Sequence, residues 1–97
     1  MIRHLVMFKL NEGIAKDDPR ALAAAKAFDG LEEQIPELLE WQHGFNVSPR
    51  DVAYDYAINS LVADQDALQV YATHPAHVAA AQLWRAIATL VVADFEV

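Results

Sequence analysis

Ile2, His4, Val6, Phe8 and Leu10 alternate with Arg3, Leu5, Met7 and Lys9 at the start of the chain. A period of two in β-branched and aromatic residues predicts a strand, and apolar residues in both sets predict that its middle is buried on both sides. Asn11-Glu12-Gly13 signals a turn. Asp17 and Asp18 ahead of Pro19 stand in the order of N-cap and first helical residue. From there the spacing predicts a helix to about Ile35, with Leu22, Ala25, Phe28, Leu31 and Ile35 as its buried stripe. Gly30 weakens that helix by about 1 kcal/mol relative to alanine, and Pro36 ends it.

A second alternation sets Leu39, Trp41, His43, Phe45 and Val47 against Glu40, Gln42, Gly44 and Asn46, a strand with one apolar face. Ser48-Pro49-Arg50-Asp51 is a loop, and a third strand is predicted from Tyr54 to Val62 with Tyr54, Tyr56, Ile58 and Ser60 on one face. Asp64 caps a short helix through Tyr71, ending near Thr73. His74-Pro75 imposes a kink, because proline disfavours helix in the residue before it and suits the first turn of a new one. The new helix runs from Pro75 to about Ala88 with His77 in its first turn, and a fourth strand spans Leu90 to Val97. The order β-α-β-β-α-β is the split βαβ, ferredoxin-like α+β arrangement, a four-stranded antiparallel sheet with helices on one face. One domain over residues 1–97 is expected from the length.

Such a sheet leaves its other face open, and that face should be polar in a monomer. The first strand is apolar on both sides, and Trp41 and Phe45 are expected to add to the open face, with His43 between them in the same packing. A second copy of the sheet is the simplest cover, giving a homodimer in which two sheets pack into an α/β barrel.

Composition narrows the chemistry. The net charge is −7 and the seven basic residues are scattered, which argues against nucleic acid and anionic membranes. Cysteine is absent, so thiolate metal sites, disulfides and a cysteine nucleophile are excluded. The three glycines are isolated and form no phosphate loop, and no serine nucleophile has convincing partners. No apolar run reaches the length of a membrane span, and the N-terminus reads directly as a strand, so a cytoplasmic protein is expected.

Two of the four histidines fall in Tyr71-Ala72-Thr73-His74-Pro75-Ala76-His77-Val78, at an irregular junction of the kind where sites are built. In a dry cavity a neutral His77 could abstract a proton α to a carbonyl while the Tyr71 phenol supports the developing enolate. Both side chains have a plainer role open to them, hydrogen bonding to local backbone. His4 belongs to the strand face taken as the cavity wall with Val6 and Phe8; Phe28, Tyr56, His74 and Trp84 complete the expected lining. Arg85 has two candidate partners, an acidic ligand and Asp94. No carboxylate lies within the histidine motif, so no metal site and no cofactor are expected.

The opening Met1-Ile2-Arg3-His4-Leu5-Val6-Met7-Phe8-Lys9-Leu10, Gly44-Phe45-Asn46-Val47-Ser48, Tyr71 with His74-Pro75-Ala76-His77-Val78, and Val91-Val92-Ala93-Asp94-Phe95 together resemble the stress-responsive A/B barrel (Dabb) family of dimeric α+β barrels. The resemblance implies the fold and homodimer reached above. One branch is a plant polyketide cyclase that performs an intramolecular aldol condensation; its tyrosine and histidine match Tyr71 and His77, and its first-strand histidine matches His4. A third-strand histidine of that enzyme falls at Tyr56, and its large aromatic after the histidine segment is replaced by Ala80-Ala81. The pocket is therefore altered, and that substrate is not carried over. The resemblance implies either a cyclase-like or lyase-like protein with a small apolar or aromatic ligand, or a non-catalytic stress-responsive or interaction protein of the same fold.

Overall fold

The opening alternation forms strand β1 (Ile2–Leu10), and a computed structural model describes the whole of residues 1–97. It is followed by α1 (Pro19–Lys26), α2 (Leu31–Gln34), β2 (Glu40–Phe45), β3 (Tyr56–Val62), α3 (Gln65–Thr73), α4 (Pro75–Arg85) and β4 (Ala88–Glu96). The strands make one four-stranded sheet in the order β2-β3-β1-β4, with every neighbouring pair antiparallel. This is the ferredoxin-like α+β fold. No helix is long and apolar enough to cross a membrane.

The predicted helix from Pro19 to Ile35 is two helices. Gly30 adopts φ +77°, a left-handed conformation that disrupts the helix, and residues 27–30 form turns between α1 and α2. The buried stripe shifts accordingly. Ala21 and Ala24 face the core and Leu22 is exposed. The small side chains let α1 come close to α4, where the Ala24 carbonyl accepts a hydrogen bond from Trp84 Nε1 at 3.0 Å. Phe28, Leu31 and Ile35 are buried as expected.

β3 begins at Tyr56 rather than Tyr54 because Asp55 ends the ladder: its carboxylate accepts from the Leu10 amide at 2.7 Å, and its own amide donates to the Phe8 carbonyl at 2.8 Å. Helix α3 starts as anticipated, with the Asp64 carboxylate accepting from the Ala67 amide.

The register assigns the faces. Ile2, His4, Val6 and Phe8 of β1 lie beside Val62, Ser60, Ile58 and Tyr56 of β3 and beside Glu96, Asp94, Val92 and Leu90 of β4. This face lies against the helices, where Phe8, Tyr56 and Trp84 pack with ring centroids 4.6 Å apart for Phe8–Trp84 and Tyr56–Trp84. Trp41, His43 and Phe45 also belong to it, contrary to the expectation that they extend the open face. Pairing of His43 with Ile58 fixes that orientation, and Trp41 Nε1 donates to the Phe28 carbonyl at 2.8 Å. The open face is polar toward β2, where Gln42 and Asn59 meet, and carries an apolar strip along β1 and β4. Met7, Val91 and Phe95 lie there 45%, 43% and 48% exposed.

Candidate functional site

The site is built at the break between α3 and α4. His74 takes the extended conformation that a residue before proline prefers (φ −64°, ψ 134°), and Pro75 opens α4. The His74 ring turns back so that Nδ1 accepts from the Ala76 amide at 3.1 Å. His74 therefore caps α4 and does not line the cavity, a correction to its expected role. The cap leaves His77 in the first turn, where its Nδ1 lies 2.9 Å from the Ala72 carbonyl. A carbonyl only accepts, so Nδ1 carries the proton and the neutral ring keeps its lone pair on Nε2.

Tyr71, in the last turns of α3, packs against the His77 ring with centroids 4.2 Å apart, and against His4 at 5.6 Å. The Tyr71 hydroxyl is buried and has no hydrogen-bond partner in the protein. Such a group costs about 1–3 kcal/mol. His4 pairs through Nδ1 with the Asp94 carboxylate across the β1–β4 ladder, an acceptor-only partner that assigns the proton to Nδ1 and fixes the ring.

These residues share a cavity of about 270 Å3 between the sheet and helices α3 and α4. Its apolar wall includes Val6, Phe8, Phe28, Ile58, Leu68 and Val92; its polar groups are His4, Gln69, Tyr71, His77, Arg85 and Asp94. The volume lies just below the usual range of small-molecule pockets, about 300–1,000 Å3.

Burial sets the proton states. Removal from water pushes the His77 pKa below its ordinary value of 6.5, and the neighbouring His4, Arg85 and His74 act in the same direction against the opposing bond to Ala72. His77 is thus a neutral base near pH 7. Burial also pushes the Tyr71 phenol up, so it stays a donor.

His4, Val6 and Phe8 from the sheet and Phe28, Tyr71 and His77 from the helical side all line this cavity. Tyr56 and Trp84 do not reach it. Tyr56 bonds His43 Nδ1, while His43 Nε2 lies 3.2 Å from the Asp29 carboxylate, a chain of groups that satisfy one another. The buried Tyr56 phenol is pushed up to about 12 by that burial and by the Asp29 charge. Trp84 is sealed in the core by Phe8, Tyr56 and Ala24. Asp94 answers to His4 and forms no ion pair with Arg85.

Sequence reasoning passed over Asp94, Leu90 and Val92 as cavity residues. Their signal was present: with β1 and β4 antiparallel, the period-two set Leu90, Val92, Asp94 falls opposite Phe8, Val6 and His4. No group of three or more histidine, cysteine or acidic side chains is placed to hold a metal ion.

The family model for the stress responsive A/B barrel domain matches residues 2–97. The chain belongs to the Dabb family. It is 55% identical over 96 residues to an uncharacterised protein of Streptomyces coelicolor, covering 99% of each chain. Among solved structures, a dimeric ferredoxin-like protein of unknown function from Jannaschia sp. is 30% identical with a TM-score of 0.81, covering 99% of this chain and 98% of that one. A hydroxynitrile lyase from Passiflora edulis superposes with a TM-score of 0.80 at 17% identity, covering 99% of this chain and 92% of that one, a likeness of fold alone.

Proposed function

We propose that this Dabb protein is a homodimer whose cavity binds a small, largely apolar carbonyl compound, with His77 as base and Tyr71 as hydrogen-bond donor in cyclase-like or lyase-like chemistry. The observation that carries the reading is the Tyr71 hydroxyl: buried, kept protonated by burial, without a partner in the protein, and borne on a ring packed against a histidine with a free Nε2. A fold does not retain an unpaired buried hydroxyl for stability, since phenylalanine would fill the same space without the desolvation cost.

The chemistry follows from the proton states. His77 Nε2 takes a proton from the carbon α to a carbonyl, and the C–H electrons move into the enolate whose oxygen receives a hydrogen bond from Tyr71. The enolate carbon attacks a second carbonyl of the same molecule, and the proton on His77 returns to the new alkoxide. His4, held by Asp94, positions the Tyr71 ring edge-on. The homodimer rests on the apolar strip of the open face and on the dimeric state ascribed to the Jannaschia relative.

The test is thermal shift of wild type and His77→Ala against acidic aromatics, β-keto esters and short polyketide mimics. Ligand binding to the native state raises the melting temperature by mass action. A shift that vanishes in a folded His77→Ala protein is the expected outcome. No shift with any compound in wild type would overturn the cavity reading in favour of a non-catalytic interaction protein.

A further inference from the structure

We infer that the ligand of this cavity is a small apolar carboxylate, its anionic end held by Arg85 and its carbonyl end lying at Tyr71 and His77. This rests on the functional reading above and names the class of molecule that the site selects.

The placement comes from helix geometry. His77, Ala81 and Arg85 stand four residues apart on one face of α4, and all three line the cavity. At 1.5 Å per residue, the backbone positions of His77 and Arg85 lie roughly 12 Å apart along the helix. Alanine at the middle position leaves the strip between them low. An arginine reaching back along that strip leaves room for a ligand of on the order of ten non-hydrogen atoms, the number that about 270 Å3 holds at the density of a liquid.

Charge singles out the same residue. Arg3 is paired with Glu40 and Arg20 with Asp18, and Arg50, which has no ion pair, lies outside the cavity; Arg85 is the arginine that lines it, with no ion pair and no side-chain hydrogen bond although Asp94 lines the same cavity. Asp94 is committed to His4, His77 is held neutral by burial, and Tyr71 remains a phenol. The wall therefore presents one uncommitted cation beside a neutral acid–base pair. In a chain of net charge −7, the overall field disfavours anions, so a carboxylate needs a local cation, which the exposed Arg85 supplies. Guanidinium presents parallel donors that fit a carboxylate through two hydrogen bonds, which an ester or amide cannot match.

Arg85 also lies in the last turn of α4, where a cation favours the helix dipole. Ligand charge separates the two roles. Titration calorimetry compares 7-oxooctanoate with 7-oxooctanamide, and 5-oxohexanoate with 5-oxohexanamide, on the full-length wild type, Arg85→Gln and Tyr71→Phe, so that each probe carries a ketone for Tyr71 and either a charged or a neutral far end for Arg85. The carboxylates are expected to bind wild type about tenfold or more tightly than the amides, and Arg85→Gln to erase that difference by weakening the carboxylates. Equal binding of acid and amide by wild type overturns the assignment, as does a preference that survives Arg85→Gln. Amide binding that weakens in Tyr71→Phe, with no carboxylate preference, would reject the charge assignment and leave the cavity reading standing. No binding of any probe would reject the carboxylate assignment and count against both readings.

Discussion

Tyr71 carries the sharpest expectation at the residue scale. Removing its unpaired hydroxyl with Tyr71→Phe keeps the ring packing against His4 and His77 and deletes only the desolvated oxygen. Equilibrium denaturation should show unchanged or increased stability, by up to about 1 kcal/mol, together with loss of ligand binding or turnover. A loss of stability in this variant would mean that the hydroxyl is satisfied in solution. His77 predicts the pH dependence. Its folded pKa lies below the ordinary value of 6.5, so the unfolded chain binds more protons in the interval between the two. Its contribution to stability is therefore complete above about pH 6.5 and is lost as pH falls through that interval. Base-dependent turnover should hold through neutral pH and decline only below it. In His77→Gln the stability difference between pH 7 and pH 5 should shrink, measured by denaturant titration at both values.

At the scale of elements, the junction between α3 and α4 divides its two histidines by geometry. His74 spends Nδ1 on capping the Ala76 amide, and His77 spends Nδ1 on the Ala72 carbonyl. His74→Ala should cost about 1 kcal/mol of stability, as the loss of a helix cap does, while ligand binding by thermal shift is retained. Loss of binding without loss of stability would return His74 to the site. This junction was legible in the sequence because proline restricts the residue before it whatever surrounds it. The break in the first helical stretch was not. Gly30 counted there as a modest local penalty, whereas the chain uses it at φ +77° to divide the helix and turn its phase, so that Ala21 and Ala24 replace Leu22 against the core. The break falls where the Ala24 carbonyl, which a continuous helix would give to the Phe28 amide, accepts instead from Trp84 Nε1, and the Phe28 amide turns to the Ala25 carbonyl.

The whole molecule presents an uncovered sheet face with Met7, Val91 and Phe95 in adjacent strands β1 and β4. In the proposed homodimer these residues lie between the sheets. Val91→Glu combined with Phe95→Glu should place charges opposite their own symmetry mates and give a folded monomer by sedimentation velocity. A wild-type monomer at micromolar concentration would overturn the dimer itself. An apolar open face was anticipated, but its residues were partly misassigned. Trp41, His43 and Phe45 alternate as an amphipathic strand should, yet alternation alone does not say which side of the sheet receives the apolar set. Their pairing with Ser60, Ile58 and Tyr56 decides it.

By itself the sequence determined the strand order along the chain, the kink at Pro75, the one-sided distribution of Ile2, His4, Val6 and Phe8, and the nearness of Tyr71 to His77. These follow from period and backbone restriction, which act within a few residues of each other. The tertiary structure alone decided which polar groups find partners. His4 meets Asp94 across strands at opposite ends of the chain, His43 meets Tyr56 and Asp29, and Tyr71 and Arg85 meet nothing. A hydrogen bond or ion pair depends on a separation of a few ångströms between residues distant in sequence, and register and helix phase set that separation only once the core has closed.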